Sequence, residues 1–330
     1  MTHQHKARTV GNTTLAVGEL GLGTAPLGGL FTPVGERAAD ETIERAWSLG
    51  IRFFDTAPQY GNGLSERHLG RFLRTKPRDS FVLATKVGRL LRVPETATGE
   101  DAYYKGTPPE RPVFDFSYDG VMRAVQESLA RLGLDRIDVL HIHDPDDHYE
   151  EAIGGAYRAL DRLRSDGTIR AVGAGMNQSE MLARFARAAA FDCFLLAGRY
   201  TLLEQRALDD LLPLCIDRGI SVFAGGVYNS GLLVDPQPGA KFNYDDAPPA
   251  LIAQAQRLKD VCRAHGVDLK TAAIQFPSAH PAVASVLTGA RTAAELDENA
   301  SLFRQSIPAA LWDDLKQQRL LRADAPTPQS

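Results

Sequence analysis

The chain has little of what marks secreted, membrane or nucleic-acid-binding proteins. Its 330 residues hold three cysteines, Cys193, Cys215 and Cys262, an odd and scattered set with no CxxC spacing. Neither a disulfide framework nor a zinc finger is expected from them; buried thiols in a reducing cytoplasm are. No stretch approaches the ~18 uninterrupted apolar residues of a membrane-spanning helix. The opening MTHQHKARTV lacks the apolar centre of a secretion signal. Lys and Arg number 37 against 41 Asp and Glu, for a net charge of −4, so no basic surplus argues for nucleic acid or an anionic membrane as partner. Linkers, low-complexity tracts, internal repeats, and metal or flavin motifs are also missing. Residues 1–330 therefore read as one domain, and with 44% hydrophobic residues the chain can bury a large core.

What is present is an alternation. Compact apolar runs at 19–25, 51–56, 81–87, 137–143, 169–175, 193–198, 220–226 and 285–289 read as strands. Amphipathic runs at 36–49, 64–73, 119–132, 151–165, 179–190, 204–217, 250–265 and 292–300 read as helices. Strands separated by helices pair in parallel, because parallel neighbours need a crossover. Eight such units predict an α/β protein of the closed (β/α)8, or TIM-barrel, type. An open doubly wound sheet is the runner-up, but the glycines of GLGTAPLGGL at 21–30 lack the GxGxxG spacing it would show. Residues 7–17 read as a hairpin around Gly11 and Asn12 that plugs the N-terminal end of the barrel. A last helix at 308–320 is expected outside it. Residues 88–116 read as a loop, and the tail RADAPTPQS is expected to fray.

In such a barrel the reactive groups sit at the C-terminal ends of the strands. Asp55 ends the second strand, Tyr60 follows in its loop, Lys86 ends the third and His143 ends the fourth. A buried Asp or Lys is costly unless paired, so Asp55 and Lys86 on adjacent strands are expected to pair. Lys86 would then lower the pKa of a nearby Tyr60 phenol, and His143 would donate to a substrate oxygen. Together they form a proton-transfer device with a tyrosine as acid or base. Each residue alone reads equally as a structural ion pair, a core histidine or a loop tyrosine; the set at successive strand ends does not.

These stretches resemble a known family. FFDTAPQYG (53–61), LSERHLGRFL (64–73), LATKVG (83–88) and LHIHDP (140–145) are similar to the aldo-keto reductase superfamily. Within it, residues 114–146, GAGMNQ (173–178), LLAGRYTLLEQ (195–205), GGVYNSGLL (225–233) and AIQFPSAHPAV (273–283) resemble the D-threo-aldose 1-dehydrogenase and L-fucose dehydrogenase branch, which includes pyridoxal 4-dehydrogenase. The resemblance implies that Tyr60 transfers the proton, Lys86 tunes it, Asp55 holds Lys86 and His143 orients the carbonyl oxygen. It implies oxidation of the anomeric hydroxyl of an aldose to a lactone, with pyridoxal oxidation or NADPH-dependent carbonyl reduction as alternatives. A small-molecule sugar or aldehyde is the expected partner, and a monomer or homodimer the expected state.

The resemblance also implies a diffusible nicotinamide lying across the barrel mouth, its phosphates held by the last two loops. There Tyr228, Ser230, Gly231 and Leu232, and Gly289, Arg291, Glu295 and Asn299, are the expected contacts, with Asn177 toward the nicotinamide. Family members selective for NADP often carry Lys where Gly289 stands and Arg where Glu295 stands. A carboxylate repels a phosphate and accepts from a free 2′-hydroxyl, so NAD is expected in preference to NADP. Two other classes compete. His141 and His143, two apart on a strand and followed by Asp144, Asp146, Asp147 and His148, invite a metallohydrolase, although no metal site is expected. A cofactor-binding regulatory subunit without turnover would retain the same residues.

Overall fold

The computed structural model describes residues 6–96 and 101–329. Two short antiparallel strands, β1 (Ala7–Thr9) and β2 (Ala16–Gly18), open it. β3 (Leu20–Gly23), β4 (Phe53–Asp55) and β5 (Val82–Val87) begin the barrel. A surface hairpin of β6 (Arg89–Arg92) and β7 (Arg111–Phe114) follows. β8 (Val139–His143), β9 (Ala171–Met176), β10 (Cys193–Ala197) and β11 (Ser221–Gly225) continue the barrel. A small hairpin, β12 (Lys241–Phe242) and β13 (Asp245–Asp246), precedes β14 (Val283–Gly289), which pairs back onto β3 and closes the ring. All eight barrel strands are parallel, as the alternation predicts.

The strands are short apolar runs because both of their faces are buried. The inward faces of Phe53, Ala84, Val139, Ala171, Cys193 and Phe223 pack into one cluster, with the Phe53 and Phe223 rings 4.8 Å apart. Val10, Leu15 and Val17 from the N-terminal hairpin join that cluster from below. The lower barrel is thus solid, and an open space can exist only at the upper, C-terminal end. Helices surround the ring with their apolar stripes inward. Tyr118–Leu132 starts where Ser117 caps Gly120 N and stops at Gly133 (φ 63°). The helix Ala293–Leu302 starts where Thr292 caps Glu295 N.

Three expectations are corrected. Residues 88–116 are not one loop: Arg89 to Arg92 pair with Phe114 to Arg111, while 97–100 lie outside the described residues. Four-residue strands, one holding Pro112, carry too little period to be seen in sequence. The helix Leu269–Gln275 went unread because it is buried on nearly every side, from Thr271 to Gln275, and has no amphipathic stripe. The tail does not fray over its described part: Arg322 pairs with both Asp209 and Asp324, and Ala325 is buried. Trp312 anchors the last helix, Ala309–Gln317, beside Phe276.

Candidate active site

Asp55, Lys86 and His143 sit on the upper ends of β4, β5 and β8, and the barrel curvature turns all three inward. Tyr60 reaches the same point from the loop after β4. That loop lies against the turn after β3 so closely that a Cβ on Gly61 (φ +61°) would stand 2.2 Å from the Gly28 carbonyl oxygen. Only glycine allows this contact, and the contact fixes the backbone that carries Tyr60.

Lys86 Nζ donates to Asp55 Oδ2 at 2.7 Å, to Asp55 Oδ1 at 3.0 Å and to the Thr56 carbonyl at 2.8 Å. Both side chains are almost wholly buried, so the expected pairing holds. The ammonium lies 4.7 Å from the centroid of the Tyr60 ring. The His143 ring stands edge-on to the same phenol, 5.9 Å between centroids. Tyr60, Lys86 and His143 line one cavity of about 150 Å³, together with Gln59, Tyr103, Tyr104, Asp144, Asn177 and Tyr244.

The electrostatics differ from the expectation in one respect. Burial, and then the Asp55 carboxylate, hold the Tyr60 phenol well above its ordinary pKa. Burial and the nearby anions outweigh the Lys86 ammonium, whose three donors point to Asp55 and Thr56 rather than to the phenol oxygen. Tyr60 is therefore a neutral acid in the protein by itself. His143 is pushed well below the usual imidazole range by burial, then by Arg89 and Lys86, and is neutral. A neutral imidazole keeps one N–H and can donate it to an oxygen.

A second cleft of about 430 Å³ meets the first at Leu30, which borders both. Tyr228, Ser230, Gly231, Gly289, Arg291, Glu295 and Asn299 all line it. Leu232 lies fully buried beneath, and Asn177 lines the first cavity instead. Asn299 frames the wall by accepting from the Tyr228 hydroxyl at 3.0 Å and donating to the Gly289 carbonyl at 3.2 Å. A Cβ on Gly289 would stand 2.8 Å from Pro26 Cγ, so the ring of Pro26 already fills the place a longer side chain would take. Glu295 is less available than its sequence position implied. Its Oε1 accepts from Arg291 Nη2 at 3.0 Å and its Oε2 from the Arg291 amide at 2.8 Å. Lys270, on the unread helix, also lines this cleft and pairs with Glu298.

The shape and donor set suit an extended dinucleotide. One end of the joined cavities holds the neutral phenol and imidazole. The other offers two cations, Lys270 and Arg291, and the small residues Ser230 and Gly231 for a pyrophosphate. Sequence reasoning missed Lys270, Arg89, Gln59 and Tyr244, because each comes from an irregular or buried segment without a period. Tyr103 and Tyr104 line the mouth, whereas Phe114 and Phe116 pack around His148.

The metal reading finds no arrangement among the described residues. His141 lies one layer below His143, fully buried, edge-on to Phe223 at 5.8 Å. A Cβ on Gly173 would stand 2.2 Å from His141 Nδ1, so a glycine makes room for the ring. Burial lowers its pKa to about 3, and it is a neutral core residue. Among the described residues no group of three His, Cys, Asp or Glu could hold a metal ion.

Comparison with known proteins gives a concordant result. The family model "Aldo/keto reductase family" matches residues 19–318. The chain is 43% identical to a pyridoxal 4-dehydrogenase from Microbacterium luteolum, over 95% of this chain and 97% of the relative. It is also 43% identical to a D-threo-aldose 1-dehydrogenase from a Pseudomonas species, over 95% and 96%. Among solved structures it superposes on an aldo-keto reductase from Bacillus halodurans, in a holo form, with a TM-score of 0.77, 26% identity and 98% of both chains covered. No described helix is long and apolar enough to cross a membrane. With matching fold, near-complete coverage and a family model spanning the whole barrel, the chain belongs to the aldo/keto reductase family and is an NAD(P)-dependent oxidoreductase.

Proposed function

We propose that this reductase works as an aldose 1-dehydrogenase, oxidising the anomeric hydroxyl of a sugar to a lactone with NAD. The observation that carries the reading is the convergence of Tyr60, Lys86, Asp55 and His143 on a cavity lined by six further polar groups. Such a lining suits a substrate bearing several hydroxyls. A nicotinamide held along the far cleft by Ser230, Gly231, Lys270 and Arg291 would supply the hydride acceptor for the anomeric carbon. His143 donates its N–H to the reacting oxygen and orients it. Tyr60 takes the hydroxyl proton during oxidation and returns it during reduction. Asp55 holds Lys86 beside the phenol, so that the ammonium stabilises the phenolate once it forms. Three buried free thiols suit a reducing cytoplasm.

A pH profile follows from these roles. The base form of Tyr60 is the minor form near neutrality, since burial raises its pKa. Oxidation kcat/KM should therefore climb about tenfold per pH unit between pH 7 and 9, while reduction stays flat over that range. No histidine limb should appear near pH 6–7, because His143 remains neutral. An oxidation rate that is flat from pH 7 to 9 would contradict Tyr60 as the base.

Cofactor choice is read from the far cleft. Glu295 and Glu298 there offset Arg291 and Lys270, and Pro26 blocks the Gly289 position. NAD should exceed NADP in kcat/KM by about tenfold, as a repelled phosphate requires. A ratio of about tenfold in favour of NADP would reverse the assignment and support an NADPH-dependent carbonyl reductase.

Pyridoxal is the second reading, favoured by the aromatic lining of Tyr60, Tyr103, Tyr104 and Tyr244 and by the relative at 43% identity. An NAD-linked absorbance screen across L-fucose, D-arabinose, L-galactose, L-xylose and pyridoxal, repeated with NADP, separates the two. Turnover of pyridoxal alone would replace the aldose reading. Absence of turnover with every sugar and aldehyde would favour a regulatory subunit.

A further inference from the structure

Asp144 is the first residue after β8, next to His143. Its backbone lies in the left-handed region at φ 40°, a conformation that Asp tolerates better than most side chains. Asp144 N donates to the Gly175 carbonyl at 3.0 Å, which fixes this turn to the end of β9. The side chain lines the catalytic cavity.

Its Oδ2 accepts from Arg89 Nη2 at 2.9 Å and lies 3.4 Å from His143 Nε2. Arg89 is itself clamped. Its Nη1 donates to Gln59 Oε1, and its guanidinium lies over the Phe114 ring at 4.9 Å. Arg89 opens the β6–β7 hairpin and is only 11% exposed. The carboxylate is thus held in one place by a buried cation, at the edge of the group that orients the reacting oxygen. Its other oxygen, Oδ1, forms no hydrogen bond among the described residues.

A carboxylate accepts hydrogen bonds and donates none. Asp144 Oδ2 lies 3.4 Å from His143 Nε2, so the carboxylate sits beside the position of the oxygen that His143 orients, where a hydroxyl on the adjacent carbon would come. We propose that Asp144 is the specificity-determining residue of this cavity, accepting a hydrogen bond from a substrate hydroxyl on the carbon next to the reacting one, with Arg89 as its positioning residue. The inference deepens the aldose reading and rests on it for the substrate class. It selects neutral, donor-bearing substrates and disfavours anionic ones, whose charge the carboxylate repels. Arg89 does not touch substrate; it keeps Asp144 from turning toward solvent.

The test uses two aldehydes that differ by one hydroxyl, lactaldehyde (2-hydroxypropanal) and propanal, each reduced with NADH by the purified full-length protein. The readout is the ratio of their kcat/KM values, which general damage to the enzyme does not move. The wild type should prefer lactaldehyde by about tenfold or more, the size of a hydrogen bond to a charged group. Asp144→Asn should bring the ratio to within about threefold of unity, mainly through the KM of lactaldehyde. Arg89→Met leaves Asp144 in place but frees it, and should lower the ratio as well. This second variant keeps the test alive if the first does not fold.

An unchanged ratio in a folded Asp144→Asn protein, or a wild type without preference, overturns the inference. A wild type that oxidises no aldose, yet shows a lactaldehyde preference that Asp144→Asn removes, supports the role of Asp144 and refutes the aldose assignment. The two failures are therefore distinguishable.

Discussion

Tyr60→Phe should lower turnover in both directions by at least about 100-fold, the usual contribution of a positioned acid or base. The substitution removes one oxygen and leaves the ring. The ring packs against Tyr104, at 6.3 Å between centroids, and against His143 and Lys86, so the cavity wall should persist. Cofactor binding, followed by quenching of protein fluorescence on NADH titration, should be nearly unchanged. This combination separates a proton-transfer role from a structural one. Loss of NADH binding alongside activity would point to a misfolded mouth, and unchanged kcat in the purified variant would remove Tyr60 from the mechanism. Phenylalanine also cannot titrate, so the residual oxidation should lose its steep rise with pH.

Breaking the buried ion pair has the second large effect. Asp55 and Lys86 make three hydrogen bonds with each other and with Thr56, among side chains 3% and 1% exposed. Removing one partner leaves an uncompensated charge in a nearly dry site. Lys86→Met and Asp55→Leu should each cost about 3–5 kcal/mol of unfolding free energy, measured by urea denaturation. The double variant should cost clearly less than the sum, because it buries no lone charge and its apolar side chains can pack. Additive losses would show that the two groups do not share one interaction. All three variants should be inactive, since each removes the ammonium or its support beside the phenol. Stability and activity thus part company: the double variant regains one and not the other. That separation would mark the pair as retained for chemistry.

How much of this was legible beforehand depends on where each signal lives. Strand–helix alternation is a local property of the chain, set by side-chain period and by the crossover that parallel pairing demands. It reached all eight barrel strands, and the residues at their ends, because the barrel places strand ends at one mouth by construction. Asp55, Lys86 and His143 could therefore be read as neighbours from their positions on strands alone. The β6–β7 hairpin could not be read in the same way. Its pairing joins Arg89 to Phe114 across an intervening segment, and such short strands have no period of their own. The helix Leu269–Gln275, which carries Lys270 into the far cleft, was hidden by the opposite condition of burial on almost every side.

The sequence by itself determined the closed barrel, the placing of Asp55, Lys86 and His143 at one end of it and the pairing of a lysine with an aspartate, because backbone period and the high cost of an unpaired buried charge act wherever the chain goes. Only the tertiary structure decided the charge states and the competition for donors. Desolvation of Tyr60 and His143, the commitment of Lys86 to Asp55 and Thr56, and the closure of Arg291 on Glu295 all depend on distances between segments far apart in the chain. Electrostatic energy varies with separation and local dielectric. Neither quantity is written in the order of residues, and both are set only when the loops meet over the barrel.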